Sequence, residues 1–132
     1  MRGFVTYGNP AILARKSTKR YHKNKYFENS AVREIHNMIN NLSNLYISRH
    51  FLIRNQMKVV IPSKKNIMKG DIFEYYRDSR GNILKFCVRC QDMSSKNDHV
   101  YIISNDGCIV TGWVNSKNDW HSTVNMDLYE EG

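Results

Sequence analysis

Between Ile109 and Tyr129 the chain reads IVTGWVNSKNDWHSTVNMDLY, which places Thr111, Asn115, Lys117, Asp119, His121, Ser122, Thr123 and Tyr129 on or just behind a strand-like run. These side chains donate, accept or exchange protons, and a loop leaving a rigid strand is where such groups are both held and accessible. Histidine can act as acid or base near neutral pH. Asp119, two residues before His121, is placed to orient its ring or to hold its cationic form. The same Asn, Ser, Lys and Asp would also furnish a solvated turn, and His121 beside Trp120 could satisfy a buried hydrogen bond instead. The density of such groups in one short stretch tips the reading toward chemistry.

Charge supplies the second signal. Residues 1 to 54 hold ten Lys and Arg against Glu28 and Glu34, which accounts for the whole formal charge of +8, and the remainder of the chain is neutral. A basic front approached by a polyanion releases counterions and steers association. In ARKSTKRYHKNKYF, residues 14 to 27, Arg15, Lys16, Lys19, Arg20, Lys23 and Lys25 alternate with Tyr21, Tyr26 and Phe27. That mixture lacks the apolar stripe of an interfacial helix and suits nucleic acid, where aromatic rings stack on bases. A solvated, solubilising arm has the same composition. Residues 1–27 are therefore expected to form a basic, flexible arm, and residues 28–132 a single domain.

A chain of 132 residues with 41% apolar and 11% aromatic content is long enough to bury a core without staples. No run approaches the roughly 18 apolar residues of a membrane span, and Gly8, Asn9 and Pro10 stand where a signal peptide needs an apolar centre. A cytoplasmic protein is expected, with no membrane partner. Three cysteines, an odd number, fit free thiols in a reducing compartment. Cys87 and Cys90 form a C-V-R-C motif, yet in a strand positions three apart face opposite ways and cannot chelate one ion. No metal and no cofactor is expected.

The elements that must position these groups follow from periodicity. Val32, Ile35, Ile39, Leu42 and Leu45 recur at three and four, predicting a helix from residue 30 with Asn29 or Ser30 as cap. Residues 47 to 54, ISRHFLIR, extend the helical character and set His50 and Arg54 four apart on one side. Beyond them, residues 58 to 61 read as a short extended run and residues 63 to 69 as a polar connection. Strands are predicted over 71–77, 83–90, 99–103 and 108–114, joined by turns at 78–82 and at Asn105–Asp106–Gly107. In the second strand Leu84, Phe86, Val88 and Cys90 should face the core and turn Lys85 and Arg89 toward an open side. In the last, Thr111, Trp113 and Asn115 share a face. The expected fold is α+β, with one or two N-terminal helices packed on a four-stranded antiparallel meander.

Collected on the open face, Lys85, Arg89, Thr111 and Asn115, with His121 and Thr123 following and His50 and Arg54 from the helix, suit phosphodiester chemistry. Cleaving RNA without metal requires a base for the 2′-hydroxyl proton, an acid for the leaving 5′-oxygen, and fixed positive charge for the phosphorane. Asp106, Asp119 and Asp127 are too scattered for a two-metal site. Each cation has an ordinary alternative as an exposed residue of a solvated sheet.

One helical stretch carrying His and Arg, a meander, I-V-T-x-W-x-N, D-x-H-x-T and a closing Tyr together resemble the metal-independent ribonucleases of the barnase, EndoU, colicin and RelE-like toxin superfamily. The resemblance covers residues about 30 to 130. It implies an active face with His121, His50, Thr111 and Thr123 as catalytic groups and Arg54, Lys85, Arg89 and Asn115 on phosphate. The basic arm would add an RNA or ribosome contact. The expected function is thus a small RNA-targeting endoribonuclease of toxin or phage type, with RNA and a small acidic inhibitor protein or a host nucleoprotein complex as partners. A non-enzymatic nucleic-acid-binding regulator, or a particle-assembly protein, explains the basic front equally well.

Overall fold

The computed structural model describes residues 19–22, 26–54 and 60–118. The period-two segments behave as expected: β3 (Asp71–Arg77), β4 (Ile83–Cys90), β5 (Asn97–Ser104) and β6 (Cys108–Ser116) pair antiparallel in chain order. They are not the whole sheet. β1 (Lys19–His22) adds antiparallel to β3, and β2 (Tyr46–Ile47) adds parallel to β6, giving the order β1-β3-β4-β5-β6-β2. The expected four-stranded antiparallel meander is therefore corrected to a six-stranded mixed sheet. Both additions occupy outer edges, where unpaired N–H and C=O groups otherwise stand open. β1 falls within the stretch expected to form the arm; residues 1–18 and 23–25 of that stretch lie outside the described residues.

Local chemistry fixes the hairpins. Asp78 turns the chain by accepting the amides of Arg80 and Asn82, each at 2.9 Å, and Gly81 follows at φ +86°. Gly107 sits at φ +94°, a left-handed conformation that glycine adopts without steric cost. A Cβ there would also stand 3.0 Å from the Asn44 carbonyl oxygen.

The first helix, α1 (Asn29–Asn40), confirms the period of three and four but not the cap. Glu28 precedes it without a side-chain capping bond, and Leu42 and Leu45 lie beyond its end while still packing on the core. α2 (Arg49–Arg54) starts after β2; Ser48 Oγ accepts the Phe51 amide at 2.9 Å and donates to the Val110 carbonyl at 2.7 Å, which ties the helix start to β6. The stretch 63–69, expected as a connection, contains a third helix, α3 (Lys64–Lys69). Ser63 and Asn66 form a reciprocal capping box, and Ile67 is buried beneath it. Of the extended run expected at 58–61, residues 58 and 59 lie outside the described residues, and 60 and 61 are irregular. No described helix is long and apolar enough to cross a membrane.

Two buried clusters divide the sheet. Ala31, Ile35 and Ile39 of α1, Phe51 of α2 and Ile67 of α3 share one cluster with Ile72, Tyr75, Phe86, Val88, Tyr101 and Ile103. Phe73, Tyr76, Cys87, Val100, Ile102, Cys108 and Val110, all from strands, form the other. Cys87 and Cys90 thus fall on opposite sides, as the strand reading of C-V-R-C required. Two expectations fail here. Ile83, not Leu84, joins the helix-side core, because the β3–β4 register slips between Tyr76 and Arg77 and a one-residue slip exchanges faces. The second face, expected to be open, buries Cys87 and Ile102 completely.

Candidate functional site

Residues directly opposite in an antiparallel pair lie on the same side of the sheet. Lys85 opposes Ser104, Arg89 opposes Val100, and across the next ladder Val100 opposes Trp113, Ile102 opposes Thr111 and Asp98 opposes Asn115. Lys85, Arg89, Thr111 and Asn115 are therefore brought to one face, the one opposite the helices. Arg20 opposes Tyr76 and His22 opposes Glu74, which adds both to the same side.

Their environments differ from those expected. Lys85 is half-buried, its ammonium 5.3 Å from the centre of the Tyr76 ring. Arg89 is not a solvated cation: it is 3% exposed, its Nε donates to Asp98 Oδ2 at 2.8 Å and its Nη2 to the Ser116 carbonyl at 2.8 Å. Lys117 Nζ donates to the other Asp98 oxygen at 2.5 Å, and the Asp92 amide approaches that oxygen at 3.4 Å. Burial alone would push the Asp98 carboxyl up, but the hydrogen bonds from Lys117, Arg89 and Asp92 outweigh it and hold the group below its ordinary value. At the other end of the face Glu74, 0% exposed, has Arg20 Nε 3.7 Å away. Burial, reinforced by the Glu74 charge, pushes the Cys87 thiol well up. Thr111 and Asn115 are buried, Asn115 donating to the Ser116 carbonyl at 3.2 Å.

His50 is half-buried in α2, beside the β6–β2 edge of the sheet. Arg54 ends the same helix, and its side chain lies outside the description. His121, Thr123, Arg15, Lys16, Lys23 and Lys25 also lie outside the described residues. Lys19 and Arg20 are in β1.

Sequence reasoning missed Asp98. It reads as the end of a loop, yet Asp98, Val100 and Ile102 already alternate, and that alternation carries β5 back to Asn97. It also missed a pocket of about 330 Å3 on the helix side of the same sheet end, lined by Asn66, Cys90, Asp92, Met93, His99 and Tyr101 among others. Within it His99 Nε2 lies 3.2 Å from Asp92 Oδ2. Asp92 is held well below the ordinary carboxylate range by the Ser94 hydroxyl and amide and by His99. The Cys90 thiol is pushed up to about 11 by burial and by the Asp98 charge, so near neutral pH it is a poor nucleophile. Among the described residues no group of three His, Cys, Asp or Glu side chains is arranged to hold a metal ion.

Comparison with known proteins adds no relative: no family model, no curated protein and no solved structure matches this chain.

Proposed function

We propose that this protein is a small RNA-directed endoribonuclease that cuts without metal. In the proposed reaction the 2′-hydroxyl attacks the adjacent phosphorus, the 5′-oxygen leaves with a proton, and the products are a 2′,3′-cyclic phosphate and a free 5′-hydroxyl. The observation that carries this reading is the register placing Lys85, Arg89, Thr111 and Asn115 on one sheet face, with His121 following β6 five residues after Ser116. In this reading His121 serves as acid or base and His50 is its partner; because His50 stands in α2, whose Phe51 packs in the helix-side cluster, the site would have to span the β6–β2 edge. On the same reading Lys85 meets the phosphate, Arg54 reaches it from α2 across the same edge and Thr123 bonds the substrate, while Thr111 and Asn115, buried in β6, hold the strand beneath it. Arg89, with Asp98 and a carbonyl already on its guanidinium, contributes positive potential and holds the β4–β6 end of the face in place.

A second reading, a non-enzymatic nucleic-acid-binding regulator, is favoured by one specific observation. Arg89, the buried cation of the sheet face, already has a carboxylate beside it, whereas the net positive charge of the chain belongs to the first 54 residues. Incubation of the full chain with mixed RNA, with and without EDTA and beside His121→Ala and His50→Ala, separates the two. The nuclease predicts cleavage that survives EDTA, leaves cyclic phosphate ends and is lost in His121→Ala with RNA binding kept. RNA that is bound but uncut by the unaltered chain assigns the regulator.

A further inference from the structure

At the β1 edge the chain holds an aromatic ring on a backbone conformation that a tyrosine seldom adopts. Tyr26 is a tyrosine at φ +69°, the one positive-φ residue other than glycine among those described. That conformation is adopted at least cost by glycine and next by Asn or Asp. The ring does not compensate through burial, for Tyr26 is 56% exposed. A strained, exposed aromatic is the kind of outlier from which a binding role can be inferred.

Its surroundings specify the ligand. Tyr21 stacks on the fully buried Tyr75 with ring centres 4.8 Å apart and planes 6° from parallel, and Phe27 meets Tyr75 edge-on at 5.3 Å. This three-ring base is anchored in the helix-side core, with Tyr75 Oη accepting the Glu28 amide at 3.1 Å. Tyr26 stands edge-on to Tyr21 at 6.3 Å, as the outer member of the set. Lys19 Nζ lies 4.3 Å from the centre of the Tyr26 ring and 5.4 Å from that of Tyr21. Arg77 lies against the inner rings, 5.3 Å from Tyr75 and 5.7 Å from Tyr21, and is locked there by Glu34 through two bonds of 3.1 and 3.0 Å. The platform therefore has a rigid inner tier and an outer ring carrying a cation. It also lies in the part of the chain where ten Lys and Arg face two Glu.

We infer that Tyr26, backed by Tyr21 and accompanied by Lys19, is a stacking platform for an unpaired base of single-stranded nucleic acid. Every base presents a π-face to such a ring, and the adjacent ammonium meets the strand's phosphate. An apolar peptide is a poorer fit to an edge carrying Lys19 and Arg20. A duplex, with its bases already stacked on each other, offers no face to the ring. The inference deepens the proposal above: it rests on nucleic acid being the partner, not on cleavage.

The test measures affinity of the full chain, in EDTA, for labelled oligo-U RNA, oligo-dT DNA and the corresponding duplexes, alongside thermal unfolding. Tyr26→Ala should weaken single-strand binding about tenfold, with little change on duplexes, and Tyr26→Trp should keep the affinity. Lys19→Ala should lower the salt dependence by about one charge. The decisive variant is Tyr26→Asn, which relieves the positive φ while removing the ring. Unchanged or raised stability with weakened single-strand binding supports the platform. Unchanged binding, or stability lost in step with binding, overturns it. Unaltered protein that binds no nucleic acid at all defeats this inference and the proposed function together. Tyr26-dependent binding without cleavage defeats only the nuclease reading.

Discussion

On the helix side of the sheet Ile35, Ile39, Phe51, Ile72, Phe86 and Ile103 are buried in contact with apolar neighbours, whereas on the other side Glu74, Arg89 and Asp98 are equally hidden from water and carry charge. Burial on the first side gains free energy in proportion to area and asks only for shape. Burial on the second is favourable only while each charge keeps its partners, because an isolated ion in the interior is strongly penalised. The difference teaches that the two faces answer to different constraints. Both bury apolar side chains, Phe73, Tyr76, Cys87 and Ile102 among them on the second, but only the second adds Glu74, Arg89 and Asp98, whose burial is tolerated while their partners are kept.

The largest expected effect tests that asymmetry directly. Asp98→Leu, which leaves Arg89 buried without its carboxylate, should cost about 3–5 kcal/mol. Ile103→Leu on the helix side, a swap of nearly equal volume, should cost under about 1.5 kcal/mol. Denaturant unfolding of both variants measures the gap, and equal losses would break the comparison. Acid supplies the next test. The Asp98 carboxyl is held below its unfolded value of 3.8, so its contribution to stability is present above that pH and lost as pH falls through the lower folded value. Asp78, Asp92 and Asp106 are depressed as well. Asp98→Asn should therefore flatten the acid limb of the stability curve only in part, read as unfolding free energy between pH 2 and about pH 6. A limb left as steep as before would remove Asp98 from the account. The smallest effect sharpens the boundary of the network: Lys117 is about a third exposed, and Lys117→Ala should cost only about 0.5–1 kcal/mol. A loss as large as that of Asp98→Leu would show that the ammonium, not Arg89, carries the buried charge.

These constraints explain what the amino acids disclosed in advance. β3 to β6 were legible because alternation is local, and parity paired Lys85 with Arg89 and Thr111 with Asn115; that the two pairs share a face is set by the register through β5. β1 was not, since KRYH carries no alternation of its own and becomes a strand only against Tyr76 and Glu74. β2 is two residues long, too short for any period. α3 carries one buried apolar residue, Ile67, so its signal lay in the Ser63–Asn66 cap. The exchange of Ile83 for Leu84 came from a bulge, which no count of twos anticipates. Arg89 looked solvated because its partner stands nine residues away across a hairpin; a cation in an alternating strand reads as exposed until the opposing strand supplies a carboxylate.

The edge strands carry a consequence for the order in which the molecule is made. β1 and β2 leave the site of synthesis first, yet their partners are β3 and β6, and the Ile47 pairing waits for Ile109. Hairpins β3–β4, β4–β5 and β5–β6 close over short loops and can form as soon as each second strand emerges. The nascent chain therefore carries β1 unmatched until β3 emerges, and β2 unmatched until the last strand, β6, is complete. During that interval the growing edge of the sheet is open to other chains, which makes crowded synthesis, rather than the finished protein, the stage most exposed to misassembly.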